Sequence, residues 1–255
     1  MTGPLAIDLF SGLGGWSDGL LAEGYDVIGF DIERHAYGDQ CYAAQLVIQD
    51  VLTLHGSQFR NADLIVASPP CQEYSYMAMP WSRAKAIAAD YREGRRDVAQ
   101  LTALFDACFR IQREACESAG RHIPLIVENV RGAIPWVGRS RWNFGSFHLW
   151  GDVPALMPFT SRGTKVGGIT FNGYGTPGYK AVAFNGTAQK RLAEGAKVPG
   201  FRFDGSGRSF QTASVEGTKS PARKAASAMI AKIPLTLSRH IAATFKPAQT
   251  TREVA

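Results

Sequence analysis

Apolar residues gather in short, evenly spaced runs over the first half of the chain. Leu5–Leu9, Tyr25–Phe30, Leu46–Ile48, Leu64–Ala67 and Ile123–Val127 are apolar almost throughout. Runs of this length, rich in Leu, Ile and Val, predict strands buried on both faces of a parallel sheet. Between them the period changes. Trp16–Glu23 and Glu33–Ala44 have helical character. Val98, Leu101, Leu104, Phe105, Cys108 and Ile111 recur at helical spacing, which predicts an amphipathic helix over Asp97–Ala119. Alternating strand and helix signals predict an α/β fold with a doubly wound, mostly parallel sheet.

The character changes near Gly151. From Thr160 to Gly217 the chain is rich in Gly, Thr, Ser, Lys and Arg, with isolated aromatics and poor helical periodicity. A small irregular second region is expected over 159–217, with 1–158 and 218–245 forming the main domain. Helices are expected over 222–233 and, beyond Pro234, over 235–245; residues 246–255 read as a polar tail.

Composition narrows the class. The 255 residues are 45% apolar, enough for a core without staples. The net charge is +6, with local Arg and Lys concentrations over 92–96, 110–121, 131–141 and 202–224, which suits a polyanionic partner. Four cysteines form no CxxC pair, and no His stands at ligand spacing from them. A disulfide scaffold and a metal site are therefore not expected. Neither a signal peptide nor a membrane-spanning run is visible, so a cytoplasmic protein is expected.

The chemistry-bearing residues fall where the predicted strands end. Strand Asp63–Ala67 runs into Ser68-Pro69-Pro70-Cys71-Gln72. Two prolines fix φ, remove backbone donors and hold their predecessors extended, so the turn is stiff and presents one thiol. The carboxyl end of a parallel strand is where such sheets bind ligands. The first strand ends in Asp8-Leu9-Phe10-Ser11-Gly12-Leu13-Gly14-Gly15, a loop whose glycines let a cofactor approach the backbone. Its spacing is not the GxGxxG of the dinucleotide fingerprint, which disfavours a nicotinamide oxidoreductase. Asp31 and Asp50 follow the second and third strands. Acids at such positions cap strand ends or hold a ribose and an adenine amino group. Glu128-Asn129-Val130 follows the fifth strand. A cysteine with a carboxylate and no histidine partner suits attack on a heteroaromatic ring, with the thiolate adding to a ring carbon while the carboxyl group meets a ring nitrogen.

In order and spacing, Asp8–Gly15, Pro69-Pro70-Cys71-Gln72 and Glu128-Asn129-Val130 resemble the DNA cytosine-5 methyltransferase family, over about residues 5–132. The resemblance implies S-adenosylmethionine as cofactor, held by Asp8, Phe10, Ser11, Gly12, Gly14 and Pro70, with Phe10 facing the adenine. It implies Asp31 at the ribose, with Glu33 the alternative, and Asp50 at the adenine amino group. Cys71 attacks cytosine C6, Glu128 contacts N3 and the exocyclic amine, Asn129 orients the catalytic loop, and Gln72 contacts the substrate. The partner implied is double-stranded DNA with a flipped cytosine, bound by a monomer. The family's Gln-x-Arg-x-Arg segment is represented only by Gly138-Arg139-Ser140-Arg141, which makes Arg141 the candidate catalytic arginine and Arg139 its alternative. Its C-terminal Gly-Asn-x-Val is replaced by Ala231-Lys232-Ile233-Pro234. The basic stretch 81–96 reads either as a mobile loop closing over DNA or as an exposed helix. A relative acting on RNA cytosine and a DNA-binding module without turnover are the competing functions.

Overall fold

Leu5–Leu9 (β1), Leu64–Ala67 (β6) and Leu125–Asn129 (β7) are buried along nearly their whole length, and they form the centre of a sheet. The computed structural model describes residues 3–37, 40–71, 74, 81–157, 228 and 231–247. The further strands are Asp26–Asp31 (β2), Ala36–Tyr37 (β3), Gln40–Cys41 (β4), Gln45–Ile48 (β5), Trp142–Phe144 (β8) and Phe147–Gly151 (β9). Seven of them form one sheet in the order β5-β2-β1-β6-β7-β9-β8. The first five of that order pair in parallel, and β9 is antiparallel to both β7 and β8. The expected mostly parallel, doubly wound sheet is borne out. From β1 the chain winds outward through β2 to β5, then crosses back to β6. The order therefore reverses between β1 and β6, and the crevice beyond their carboxyl ends is the site such sheets offer to ligands.

Alternation along the strands sorts side chains onto two faces. Ile7, Leu9, Ile65, Ala67, Leu125 and Val127 point to a core shared with Phe105, Cys108, Ile111 and Ala115 of helix α3 (Val98–Ala119). Asp97 caps α3 by accepting from Ala99 N at 2.8 Å, and Gly120 ends it at φ 64°. Cys108 sits in this core, where burial pushes its thiol up and leaves it a packing residue. The other face carries Ala6, Asp8, Val66, Ile126 and Glu128. It lies towards helix α1 (Gly15–Ala22), whose Ser17 reaches Asp8. Helix α1 packs against the C-terminal helix, Leu235–Phe245, which we call α5 after α2 (Trp81–Arg92) and α4 (Ile134–Val137). The Tyr25 hydroxyl donates to Ala242 O at 3.1 Å and ties the start of β2 to α5.

The chain divides into two compact units, Met1–Pro158 with Leu235–Ala255, and Phe159–Pro234. The expected irregular region over 159–217 and most of the expected helix over 222–233 lie outside the described residues. Helix α5 forms where expected. Among the described residues no helix is long and apolar enough to cross a membrane.

Two sequence expectations need correction. The helix expected over 33–44 is replaced by β3 and β4, which pair antiparallel. Gly38 and Asp39 between them are poor helix formers, and the apolar positions are too few for a buried helical stripe. Glu128 and Asn129 are the last two residues of β7 rather than a sequel to it. The antiparallel β9 extends the ladder there, pairing Glu128 with Leu149 and Asn129 with His148. The basic stretch after the cysteine loop is helical over Trp81–Arg92. Beyond it Arg95 Nε donates to Asp90 at 2.8 Å and Arg96 lies 5.6 Å from the Tyr91 ring centre.

Gly19 lets α1 and α5 approach closely. A Cβ there would overlap Ser238 Oγ and lie 2.5 Å from the Arg239 backbone nitrogen. Alanine favours an exposed helix over glycine by about 1 kcal/mol, but this overlap involves backbone, which cannot swing aside. Gly19→Ala should therefore destabilise by a net ~1–2 kcal/mol, read as a lower urea midpoint at unchanged m. A neutral or stabilising result would show that the α1–α5 contact is looser than described.

Candidate functional site

Three strand ends converge on the crevice between β1 and β6. The first carries the glycine loop. Phe10 adopts φ 58°, Gly12 52° and Gly14 74°, so the backbone reverses hand repeatedly within five residues. Left-handed backbone costs little at glycine; at Phe10 it is a strained position of the kind found at binding sites. Backbone bonds fix the loop: Ser11 N donates to Phe30 O at 3.1 Å, and Gly14 N to Ser11 O at 2.8 Å. Gly12 N donates to Asp31 Oδ2 at 2.9 Å. The buried carboxylate at the end of β2 thus shapes the loop at the end of β1. His35 Nε2 lies 3.5 Å from Asp31 Oδ1, and the alternative Glu33 is exposed.

Asp8 lies in β1, two residues before Phe10. It is 1% exposed, and its Oδ2 accepts from Ser17 Oγ at 2.6 Å. Its Oδ1 has no hydrogen-bond partner among the described residues, and neither has the buried Ser11 Oγ beside the same loop. Burial, then repulsion from Asp31, raises the Asp8 carboxyl to about 8 despite the Ser17 bond. Orphaned buried polar atoms at a ligand crevice point to a polar ligand that completes them. A carboxyl group, a hydroxyl and turned glycine backbone fit the amino-acid end of a cofactor such as S-adenosylmethionine. Asp50 is exposed beyond β5 and caps the 3₁₀ turn Val51–Thr53, accepting from Leu52 N at 2.9 Å. Phe10 is half-buried against the α3-side core.

The second strand end carries the thiol. Ser68 N donates to Leu9 O at 3.2 Å, and Trp16 Nε1 donates to Ser68 Oγ at 3.0 Å, so β6 is pinned to both β1 and α1. Pro69 is buried, Pro70 exposed and Cys71 half-buried. Tyr74, which sequence reasoning missed, anchors this loop: its N–H donates to Cys71 O at 3.0 Å and its hydroxyl to Leu101 O of α3 at 2.7 Å. Gln72 lies outside the described residues.

The third strand end carries Glu128 and Asn129, both buried. Asn129 Nδ2 donates to Pro69 O at 3.0 Å, which joins the cysteine loop to β7 directly. Register places Glu128 on the sheet face of Val66 and Asp8, the α1 side. Arg139 and Arg141 stand farther out. Arg141 N donates to Leu149 O on the side of β9 away from β7, about 10 Å from that strand. Arg139 follows Gly138 and is exposed. The arginine that directly follows β7 is Arg131. Burial, with Arg131 nearby, holds His148 below the usual imidazole range, and Ser140 Oγ lies 2.9 Å from its Nδ1. Among the described residues, no group of three or more His, Cys, Asp or Glu side chains is placed to hold a metal ion.

The Asp8 environment has a stability consequence. Its pKa is raised on folding, so its contribution is fullest below the unfolded value near 3.8 and is lost as pH rises towards about 8. Asp8→Asn removes that titration and keeps the acceptor for Ser17. Relative to wild type, the ligand-free variant should gain stability from about pH 4 to pH 8, by at most about 1.4 kcal/mol per pH unit, and hold a constant gain above. Denaturant midpoints of both proteins across pH measure this, and parallel curves would mean that Asp8 is not desolvated.

Comparison with known proteins follows these features. Residues 5–111 match the family model of the C-5 cytosine-specific DNA methylases, a span that includes the glycine loop and Cys71 and stops short of Glu128. A Type II methyltransferase, M.AplI of Arthrospira platensis, is 31% identical over 137 residues, covering 51% of this chain and 32% of that protein. The chain thus spans about a third of the length of the curated relative it matches. Among solved structures, a protein described as a DNA modification methyltransferase encoded within an E. coli prophage is 25% identical, with 51% of this chain and 33% of that one covered and a TM-score of 0.33. The S. pombe Dnmt2 methyltransferase is 17% identical, with 53% and 37% covered and a TM-score of 0.33. The glycine loop and the Pro-Pro-Cys loop both lie inside the span, residues 5–111, over which the chain is similar to the C-5 cytosine-specific DNA methylases.

Proposed function

We propose that this protein methylates C5 of cytosine in DNA, using S-adenosylmethionine and a transient bond between Cys71 and cytosine C6. The observation that carries this reading is the Asn129–Pro69 hydrogen bond. It joins the thiol-bearing loop to the strand that ends in Glu128.

The chemistry explains why these residue types are needed. C5 of cytosine is a weak nucleophile. Addition of the Cys71 thiolate at C6 breaks the C5–C6 double bond and leaves electron density at C5. Glu128, as a carboxylic acid, hydrogen-bonds or protonates N3, so the developing negative charge settles on a neutralised ring. S-adenosylmethionine, when bound, would supply the methyl group to C5 and would keep the electron pair of its broken carbon–sulfur bond as S-adenosylhomocysteine. A base then removes the C5 proton, the C5–C6 double bond re-forms and the Cys71 thiolate leaves. Cys71 ends as it began, so it acts as a covalent catalyst.

Binding follows from the same rim. Asp8, Phe10, Ser11, Gly12, Gly14 and Pro70 would cradle the donor, with Asp31 at its ribose and Asp50 at its adenine. Acidic groups at Asp8 and Asp31 suit a donor that carries positive charge on both nitrogen and sulfur. Asn129 acts as a positioning residue for the Cys71 loop, and Gln72 is assigned to the substrate. Both faces of C5–C6 must be reached, so the base leaves the stack before it reacts. The net charge of +6 favours a phosphate backbone. Arg141 and Arg139 are assigned to DNA or its target base from the outer edge of the sheet. The irregular region 159–217 is proposed as the part that reads the target, beside a catalytic domain of 1–158 and 218–245. A soluble, cytoplasmic monomer is the setting this reading implies.

Cys71→Ala should reduce methyl transfer from a tritiated donor to background while DNA affinity changes less than about threefold. Transfer at more than a few per cent of wild type would remove the covalent step. DNA with 5-fluorocytosine at the target, incubated with donor, should give a covalent complex that persists in denaturing gels. Fluorine cannot leave C5 as a proton, so elimination stalls. Absence of the shifted band with an otherwise active protein would exclude attack by Cys71.

A further inference from the structure

Tyr42 lies between β4 and β5, outside every motif the sequence singles out. Its ring nevertheless lies against Gly14 of the glycine loop and Gly29 of β2. A Cβ on Gly14 would sit 3.0 Å from Tyr42 Cδ2, and one on Gly29 would overlap its hydroxyl. Two glycines, one in the loop after β1 and one inside β2, thus leave the space that this ring occupies. The hydroxyl reaches Ser17 Oγ at 2.6 Å, and Ser17 Oγ donates to Asp8 Oδ2 at 2.6 Å. A serine hydroxyl has one proton. With Asp8 ionised, that proton goes to Asp8 and Tyr42 is the donor to Ser17. In that state the chain runs from Tyr42 to Ser17 to Asp8.

The end of the chain matters most. Asp8 Oδ2 is taken by Ser17, and the carboxyl plane is thereby set. Oδ1 is left buried and without a partner among the described residues. We propose that Tyr42 is a positioning residue which acts through Ser17 to present Asp8 Oδ1, as a carboxylate, to the ammonium group of the methyl donor's amino-acid portion. The inference rests on the methyl-donor reading above and extends it to a residue outside the family's motifs.

The electrostatic surroundings explain why the carboxylate needs this help. Asp31 from β2 and Asp18 from α1 both oppose its charge, Val66 flanks it from β6, and burial adds the largest penalty. Donation by Ser17 is the main opposing influence. Donors in series polarise one another, so Tyr42 strengthens the bond that Ser17 makes. Tyr42 itself stays protonated, since burial and the nearby Asp8 push its phenol well above the usual range. Without Tyr42 the Asp8 proton is held more tightly, and a cationic ligand must displace it.

The test is the affinity of the full-length protein for S-adenosylhomocysteine, which carries the same amino-acid portion, by calorimetry between pH 6.5 and 9.5. Wild type is compared with Tyr42→Phe, which keeps the ring and loses only the hydroxyl; circular dichroism checks both folds. Loss of one hydrogen bond should raise Kd about three- to tenfold near pH 7. The ratio should approach unity by pH 9.5, where Asp8 ionises without assistance. The ligand's own ammonium titration is common to both proteins and cancels in the ratio. Ser17→Ala breaks the chain from its other side and should give the same pH-dependent ratio. A ratio that is constant with pH, or equal to one throughout, overturns the role of Tyr42 and leaves the donor site standing. Failure of wild type to bind at any pH overturns the donor reading itself, and the inference with it.

Discussion

The loop that carries Cys71 depends on one amide. Successive prolines leave the Pro69–Cys71 segment poor in backbone donors, so no strand or helix can hold it. Pro69 is buried, and its carbonyl oxygen would be unsatisfied if nothing reached it. Asn129, 1% exposed, supplies that donor from the end of the neighbouring strand. A lost partner at a buried carbonyl costs about 1–3 kcal/mol. The same contact ties the loop that carries Cys71 to the strand that ends in Glu128 and Asn129. Stability and geometry are thus served by one bond, and Tyr74 secures the far side of the loop to α3.

A second constraint acts at β1. Its carboxyl end must turn sharply, bring backbone against a ligand and keep an acid in a dry place. The left-handed backbone at Gly12 and Gly14 meets the first need, and Asp31 meets the second by fixing Gly12 N. The third is met at a cost in polar satisfaction, since two oxygens at this corner have no partner among the described residues. The crevice is therefore built in two halves of different character. The half at the glycine loop is acidic and strained; the half at Cys71 is held to β7 by Asn129 and to α3 by Tyr74.

Much of this could be read from the sequence. Strands β1, β6 and β7 and helix α3 are legible because burial on both faces, or along one helical stripe, forces a simple apolar pattern. Asp8, Asp31, Cys71 and Glu128 stood out because strand ends are where α/β sheets work. The hairpin of β8 and β9 was not anticipated. Trp142–Phe144 is short, largely exposed and lacks alternation, and its identity as a strand comes from pairing with Phe147–Gly151. The stretch 33–44 misled because a few apolar residues in polar surroundings mimic a weak helix. Tyr42, Tyr74 and the Asn129–Pro69 bond could not be found by pattern at all, since each acts on a partner 25 or more residues away. The one available hint was the pair of glycines, Gly14 and Gly29, whose missing side chains make room for a ring.

The orphaned oxygens of Asp8 and Ser11 set this protein's evolutionary options. Buried without a partner among the described residues, they cost stability, and replacing either with an apolar side chain of similar size relieves a desolvation penalty. Selection for thermal robustness alone would therefore drift towards those replacements and seal the crevice from within. Any effort to harden this scaffold must hold both positions fixed, or select in the presence of the proposed methyl donor.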